Sequence, residues 1–107
     1  MESSNILAKV PSNLPGEFIE ILVQASHVRI ERIVSQGHNS PRGFWYDQDT
    51  DEWVMLVEGA ARLRFDDGVV EMRNGDYLHI PAHKRHRVEW TDPHRPTVWV
   101  AVHWGAP

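Results

Sequence analysis

Cysteine is absent from the chain. Disulfides, thiolate metal sites and thiol nucleophiles are therefore excluded, and any metal must be held by nitrogen and oxygen. No run approaches the about twenty apolar residues that a bilayer span needs. The first residues, Met1 to Val10, lack the basic region and apolar stretch of a secretory leader, so a cytoplasmic location and no membrane partner are expected. Positive charge is scarce as well, with 11 Lys and Arg against 15 Asp and Glu. The one basic cluster, Lys84-Arg85-His86-Arg87, is short and lies close to Glu89 and Asp92, so no nucleic-acid partner is expected. Gly-rich phosphate cradles are missing, and the Ser and Thr residues sit in loops without a matching base. A small molecule or another protein is the expected partner.

Sustained helical periodicity is also missing, whereas two-residue alternation recurs along the chain. Residues 1–16, with Ser3, Ser4, Asn5, Pro11, Ser12, Asn13 and Pro15, read as a loose arm. Residues 17–107 read as a single domain, long enough to bury about two-thirds of its unfolded surface without staples. Strands are predicted over 17–23, 27–34, 52–58, 61–65, 69–73, 77–80, 86–90 and 97–104. Asp66-Asp67-Gly68 and Asn74-Gly75-Asp76 supply tight turns between them. Short strands with turns at this spacing and no helices predict an all-β barrel or sandwich. In the last strand Val98, Val100, Val102 and Trp104 are assigned to the interior.

The most informative stretch is Asn74 to Trp90. There Pro81 ends one strand, and a basic loop carries His83 and His86 into the next. His86, Val88 and Trp90 share one face of that strand, opposite Arg87 and Glu89. His86 thus points with the apolar residues, as a metal ligand or as a satisfied core residue. Glu52 shares a face with Val54 and Leu56. An ionised carboxylate left unpaired in an apolar interior costs several kcal/mol, comparable to the whole stability of a small domain. Either Glu52 has a partner there, such as a metal, His86 or an arginine, or it sits in solvent at the strand's start.

Glu52, six residues and Gly59, followed by Gly75, five residues, Pro81 and His86, reproduce parts of two motifs in the right order. Over residues 17 to 104 the chain resembles a small single-domain cupin with a degenerate first motif. That resemblance implies a double-stranded β-helix, or jelly-roll, barrel. It also implies that Glu52 and His86 are ligands to a divalent metal inside the barrel. The first motif should carry His-x-His three or four residues before the glutamate, and both imidazoles are missing. A four-residue gap puts Trp45 and Asp47 in their place, and a three-residue gap puts Tyr46 and Gln48 there. Asp47 could ligate through oxygen and Gln48 more weakly through its carbonyl, whereas Trp45 cannot ligate. His83 stands where the second motif usually has glycine, and Trp90 where it has asparagine.

Three readings follow. In one, His86 and Glu52, with Asp47 or Gln48, hold Mn, Fe or Zn, and a dioxygenase or isomerase acts on a small molecule with Glu52 and His86 as catalytic residues. In another the barrel is metal-free and binds a small ligand against Trp45, Tyr46 and Trp90. In the last the barrel is filled and the protein is an interaction subunit. His38 either supplies a missing imidazole or faces solvent, while His27, His94 and His103 read as surface residues. Trp53 with Met55 and Val57, and Trp99 with Ala101, put apolar side chains on the faces opposite the inferred interior. Both faces must then be covered, and a homodimer is expected.

Overall fold

A computed structural model describes residues 1–105. The chain forms eight strands: β1 (Phe18–Ala25), β2 (Val28–Ser35), β3 (Asp51–Glu58), β4 (Ala60–Phe65), β5 (Gly68–Arg73), β6 (Tyr77–Ile80), β7 (His86–Thr91) and β8 (Thr97–Trp104). They make two antiparallel sheets, one in the order β1-β2-β8-β3-β6 and one in the order β5-β4-β7. The sheets close over one another as an all-β jelly-roll barrel. A two-residue turn joins β4 to β5, where Phe65 pairs with Gly68 across Asp66 and Asp67, as the turn residues require.

Alternation fills the barrel. Val54 and Leu56 of β3 meet Ala61, Leu63 and Phe65 of β4, and Met72, Ile80, Trp99 and Ala101 complete the buried core. That core packs one end of the barrel solid. The other end is left to polar side chains of β2, β3, β7 and β8.

Two strands depart from the predicted alternation. In β8 the inward residues are Trp99, Ala101 and His103, not Val98, Val100, Val102 and Trp104. The register with β3 fixes this, because Leu56 pairs opposite Trp99, Val54 opposite Ala101 and Glu52 opposite His103. Both faces of β8 are apolar, so hydrophobic alternation alone fits either phase. In β7 a bulge falls between the pairs Leu63–Val88 and Arg62–Trp90. The extra residue, Glu89, reverses the alternation. Trp90 therefore turns outward, where the Arg62 guanidinium lies 4.8 Å from its ring centre.

The first residues lie against the larger sheet. Arg32 donates hydrogen bonds to the carbonyls of Ile6 and Ala8 at 3.2 and 2.7 Å, and His38 Nε2 donates to Leu14 O at 3.2 Å. Residues 106 and 107, the end of the expected barrel domain, lie outside the described residues. Among the described residues no helix is long and apolar enough to cross a membrane.

Candidate functional site

The polar end of the barrel encloses a cavity of about 190 Å³. Its walls include Glu17, Arg29, Glu31, Tyr46, Gln48, Glu52, His86, Trp99 and His103. Glu52 enters from β3 and His86 from the start of β7. His86 is held from several sides. Its backbone exchanges hydrogen bonds with Tyr46, N to O at 2.7 and 3.2 Å. Its ring lies between those of Tyr46, at 5.3 Å, and Phe65, at 5.9 Å. Nδ1 donates to Lys84 O at 2.9 Å, which turns Nε2 toward Glu52 Oε1, 3.6 Å away.

Both partners of this pair are buried, with side-chain exposures of 7% and 10%. Burial works to lower the His86 pKa, but the Glu52 carboxylate and the Lys84 carbonyl outweigh it and the net shift is upward. The physical reason is the locked tautomer. With its proton on Nδ1, a neutral His86 would aim a lone pair at a carboxylate, whereas an imidazolium aims an N–H.

A second histidine–carboxylate pair lies beside the first. His103, expected at the surface, is 7% exposed, and its Nε2 donates to Glu31 Oε1 at 3.1 Å. Arg29 Nε lies 2.9 Å from the other Glu31 oxygen, an ion pair too bent for a hydrogen bond. Glu17 completes the acidic wall and accepts a hydrogen bond from Ser35 Oγ at 2.9 Å. Burial raises the Glu17 pKa, and Glu52 and Glu31 add to the rise. Tyr46 is shifted the same way, by burial first and then by the same carboxylates, so its phenol stays protonated. Glu31 and His103 could have been found only from the β2–β8–β3 register, which puts them on the wall that carries Glu52, and Glu17 only from its place just before β1, beside Ser35.

The missing imidazoles are replaced in the three-residue register. Tyr46 and Gln48 line the cavity. Trp45 and Asp47, the four-residue alternative, do not. Trp45 lies under the guanidinium of Arg85, 4.9 Å from its ring centre. The Asp47 side chain is half exposed and bonds His83 Nδ1 at 2.7 Å. His83 itself adopts φ +64° in the turn where glycine was expected, and it does not reach the cavity. His38 bonds Gln36 N and Leu14 O through its two ring nitrogens, so it supplies no ligand either. Of the aromatic residues assigned to ligand binding, Tyr46 lines the cavity and Trp45 and Trp90 do not, while Trp99 lines it.

The Cupin_2 family model, a cupin domain, matches residues 33–103. The chain is a cupin. No curated protein matches it. A crystal structure from Ralstonia eutropha JMP134, of a protein named as a candidate mannose-6-phosphate isomerase, is 49% identical with a TM-score of 0.94. The match covers 99% of this cupin and all of that chain. A cupin superfamily protein of Desulfitobacterium hafniense DCB-2 has a TM-score of 0.81 at 19% identity, over 99% of this chain and 94% of its own. A cupin domain of Bordetella pertussis Tohama I has a TM-score of 0.65 at 20% identity, over 86% and 96%. The last two share the fold alone.

Cupins imply a metal, and the donors of this one do not fit it. Among the described residues no three His, Asp or Glu side chains converge so as to hold an ion. In the three-residue register Glu52 and His86 are joined only by the Gln48 amide and by a phenol whose pKa is raised. Only two of these four are strong donors, short of the three that typically hold a first-row divalent ion.

Proposed function

We propose that this cupin binds a small hydroxylated carbonyl compound in its cavity and moves a proton on it, an isomerase-type reaction with Glu52 as base and His86 as acid. The observation that carries this reading is the buried His86–Glu52 pair, with Nε2 and Oε1 3.6 Å apart on the cavity wall. A carboxylate able to take a proton from carbon beside an imidazolium able to give one to a carbonyl oxygen is a workable acid–base couple. The 49% identical protein named as a candidate sugar-phosphate isomerase supports the reaction class. Tyr46 and Gln48 would orient the substrate by hydrogen bonds, and the Trp99 and Ile33 side chains help to exclude water.

The metal expected from the sequence is tested separately. Elemental analysis of protein purified without chelator is expected to find Mn, Fe and Zn far below one ion per chain. A stoichiometric ion that disappears in both Glu52→Gln and His86→Ala would restore a metal-centred reaction, with Gln48 as the remaining ligand.

The expected homodimer gains support from β1. This is the edge strand of the larger sheet, and Phe18, Ile19, Ile21, Leu22 and Val23 are 38% to 55% exposed. An edge that is apolar on both sides, without lysine or proline to protect it, is a pairing surface for another chain. A second copy across this edge would cover it and come close to the cavity, which Glu17 and Ile19 help to line. Sedimentation at micromolar concentration is expected to give a dimer, and a clean monomer would remove this arrangement.

A further inference from the structure

Charge at the cavity narrows what can enter it. Three glutamates, Glu17, Glu31 and Glu52, line it, and among the described residues Arg29 is the one Lys or Arg side chain that does. Arg29 is already committed, because its Nε lies 2.9 Å from Glu31 Oε2. The imidazoles are committed too, His103 to Glu31 at 3.1 Å and His86 beside Glu52 at 3.6 Å. Each positive group at the cavity stands against a carboxylate, and with three glutamates on the same wall no net positive charge remains for an incoming anion. We infer that the cavity takes a small uncharged polyhydroxy carbonyl compound and rejects its phosphorylated form.

Three further observations agree. The cavity, at about 190 Å³, is little larger than the roughly 150 Å³ that holds a benzene molecule. It suits a compact ligand without a bulky anionic group. Its polar atoms are mixed, with carboxylate acceptors set among the donors of Tyr46 and Gln48. Hydroxyl groups, which donate and accept at once, match such a wall better than a phosphate, which only accepts at neutral pH. Burial raises the Glu17 pKa first, and the Glu52 and Glu31 carboxylates on the same wall add to the rise.

The inference rests on the isomerase reading proposed above, and it departs from the phosphate in the name of the related Ralstonia protein. Titration calorimetry with D-mannose, D-mannose 6-phosphate and D-mannosamine tests it. The free sugar is expected to bind at least roughly tenfold tighter than the phosphate, since like charges in a half-enclosed site repel strongly. Glu17→Gln and Glu31→Gln are each expected to shrink that preference. Glu17 lies just before β1 and is less buried than Glu31, so its variant remains informative if Glu31→Gln fails to fold. Phosphate binding as tight as the free sugar would overturn the inference and leave the isomerase reading standing. A tenfold preference for the amine would make the ligand cationic and overturn it as well. A preference unchanged in the folded Glu17→Gln variant would remove the carboxylates as its cause. No binding of any of the three would remove both the isomerase reading on sugars and this inference.

Discussion

Gly59→Ala is expected to destabilise the barrel by about 3–5 kcal/mol, a large part of the roughly 5–15 kcal/mol that holds a small domain folded. Gly59 links β3 to β4 with φ +122°, a conformation that side chains rarely adopt. A Cβ there would collide with Thr97 Oγ1 and stand 2.6 Å from Thr97 Cα. The second of these is backbone and cannot rotate away. Thr97 is itself tied down, with Oγ1 donating to Ala60 O at 3.2 Å and accepting from Ala60 N at 3.3 Å. Gly59 N donates to Asn74 Oδ1 at 2.8 Å, so a shift of this corner would also loosen the turn before β6. Gly75→Ala is the control. Gly75 also has positive φ, +87°, but a Cβ would meet nothing within 4 Å, so only the backbone strain of about 1 kcal/mol remains. Urea unfolding of both variants separates the two effects. A Gly59→Ala protein as stable as Gly75→Ala would mean that the β3–β4 corner can yield.

The same corner explains what the sequence could reveal. Gly59 was legible because a chain reversal against a packed strand permits no side chain, and that requirement appears in the sequence as a residue type. Glu52 and His86 were legible for a related reason, since polar residues in phase with apolar ones need a partner inside. Faces were harder. β8 carries apolar side chains on both sides, so its phase, and with it the burial of His103, became fixed only through pairing with Glu52, Val54 and Leu56. The outward turn of Trp90 depends on one extra residue at Glu89, and a bulge leaves no mark in the composition of the strand. Asp47 and Gln48 differ by a single step along an irregular segment. Gln48, and not Asp47, lines the cavity, next to a backbone bridge between Tyr46 and His86, a contact forty residues apart in the chain. The second pair, Glu31 with His103, joins β2 to β8 and could not be found from either strand alone.

The His86–Glu52 pair supplies the other large effect, and its two members are expected to fail differently. His86→Ala leaves Glu52 ionised in a mostly buried wall without its partner, which costs about 3–5 kcal/mol. Glu52→Gln removes the charge and keeps the shape, so its stability loss should be smaller. Either change should lower isomerase turnover by about 10²–10⁴-fold, the usual contribution of one acid or base. The pH profile distinguishes the variants further. The folded pKa of His86 lies above its ordinary 6.5, so the stability it contributes is fully present below that value and is lost as pH rises through the folded pKa. Glu17 acts with the same sign from its ordinary 4.5 upward. Wild-type protein should therefore be more stable to urea at pH 6 than at pH 8. In Glu52→Gln the largest influence raising the His86 pKa is gone and burial prevails, so the part of that slope due to His86 should vanish or reverse. Equal slopes in wild type and Glu52→Gln would show that the two side chains are not coupled. The acid–base couple at the centre of the proposed reaction would then lose its physical basis.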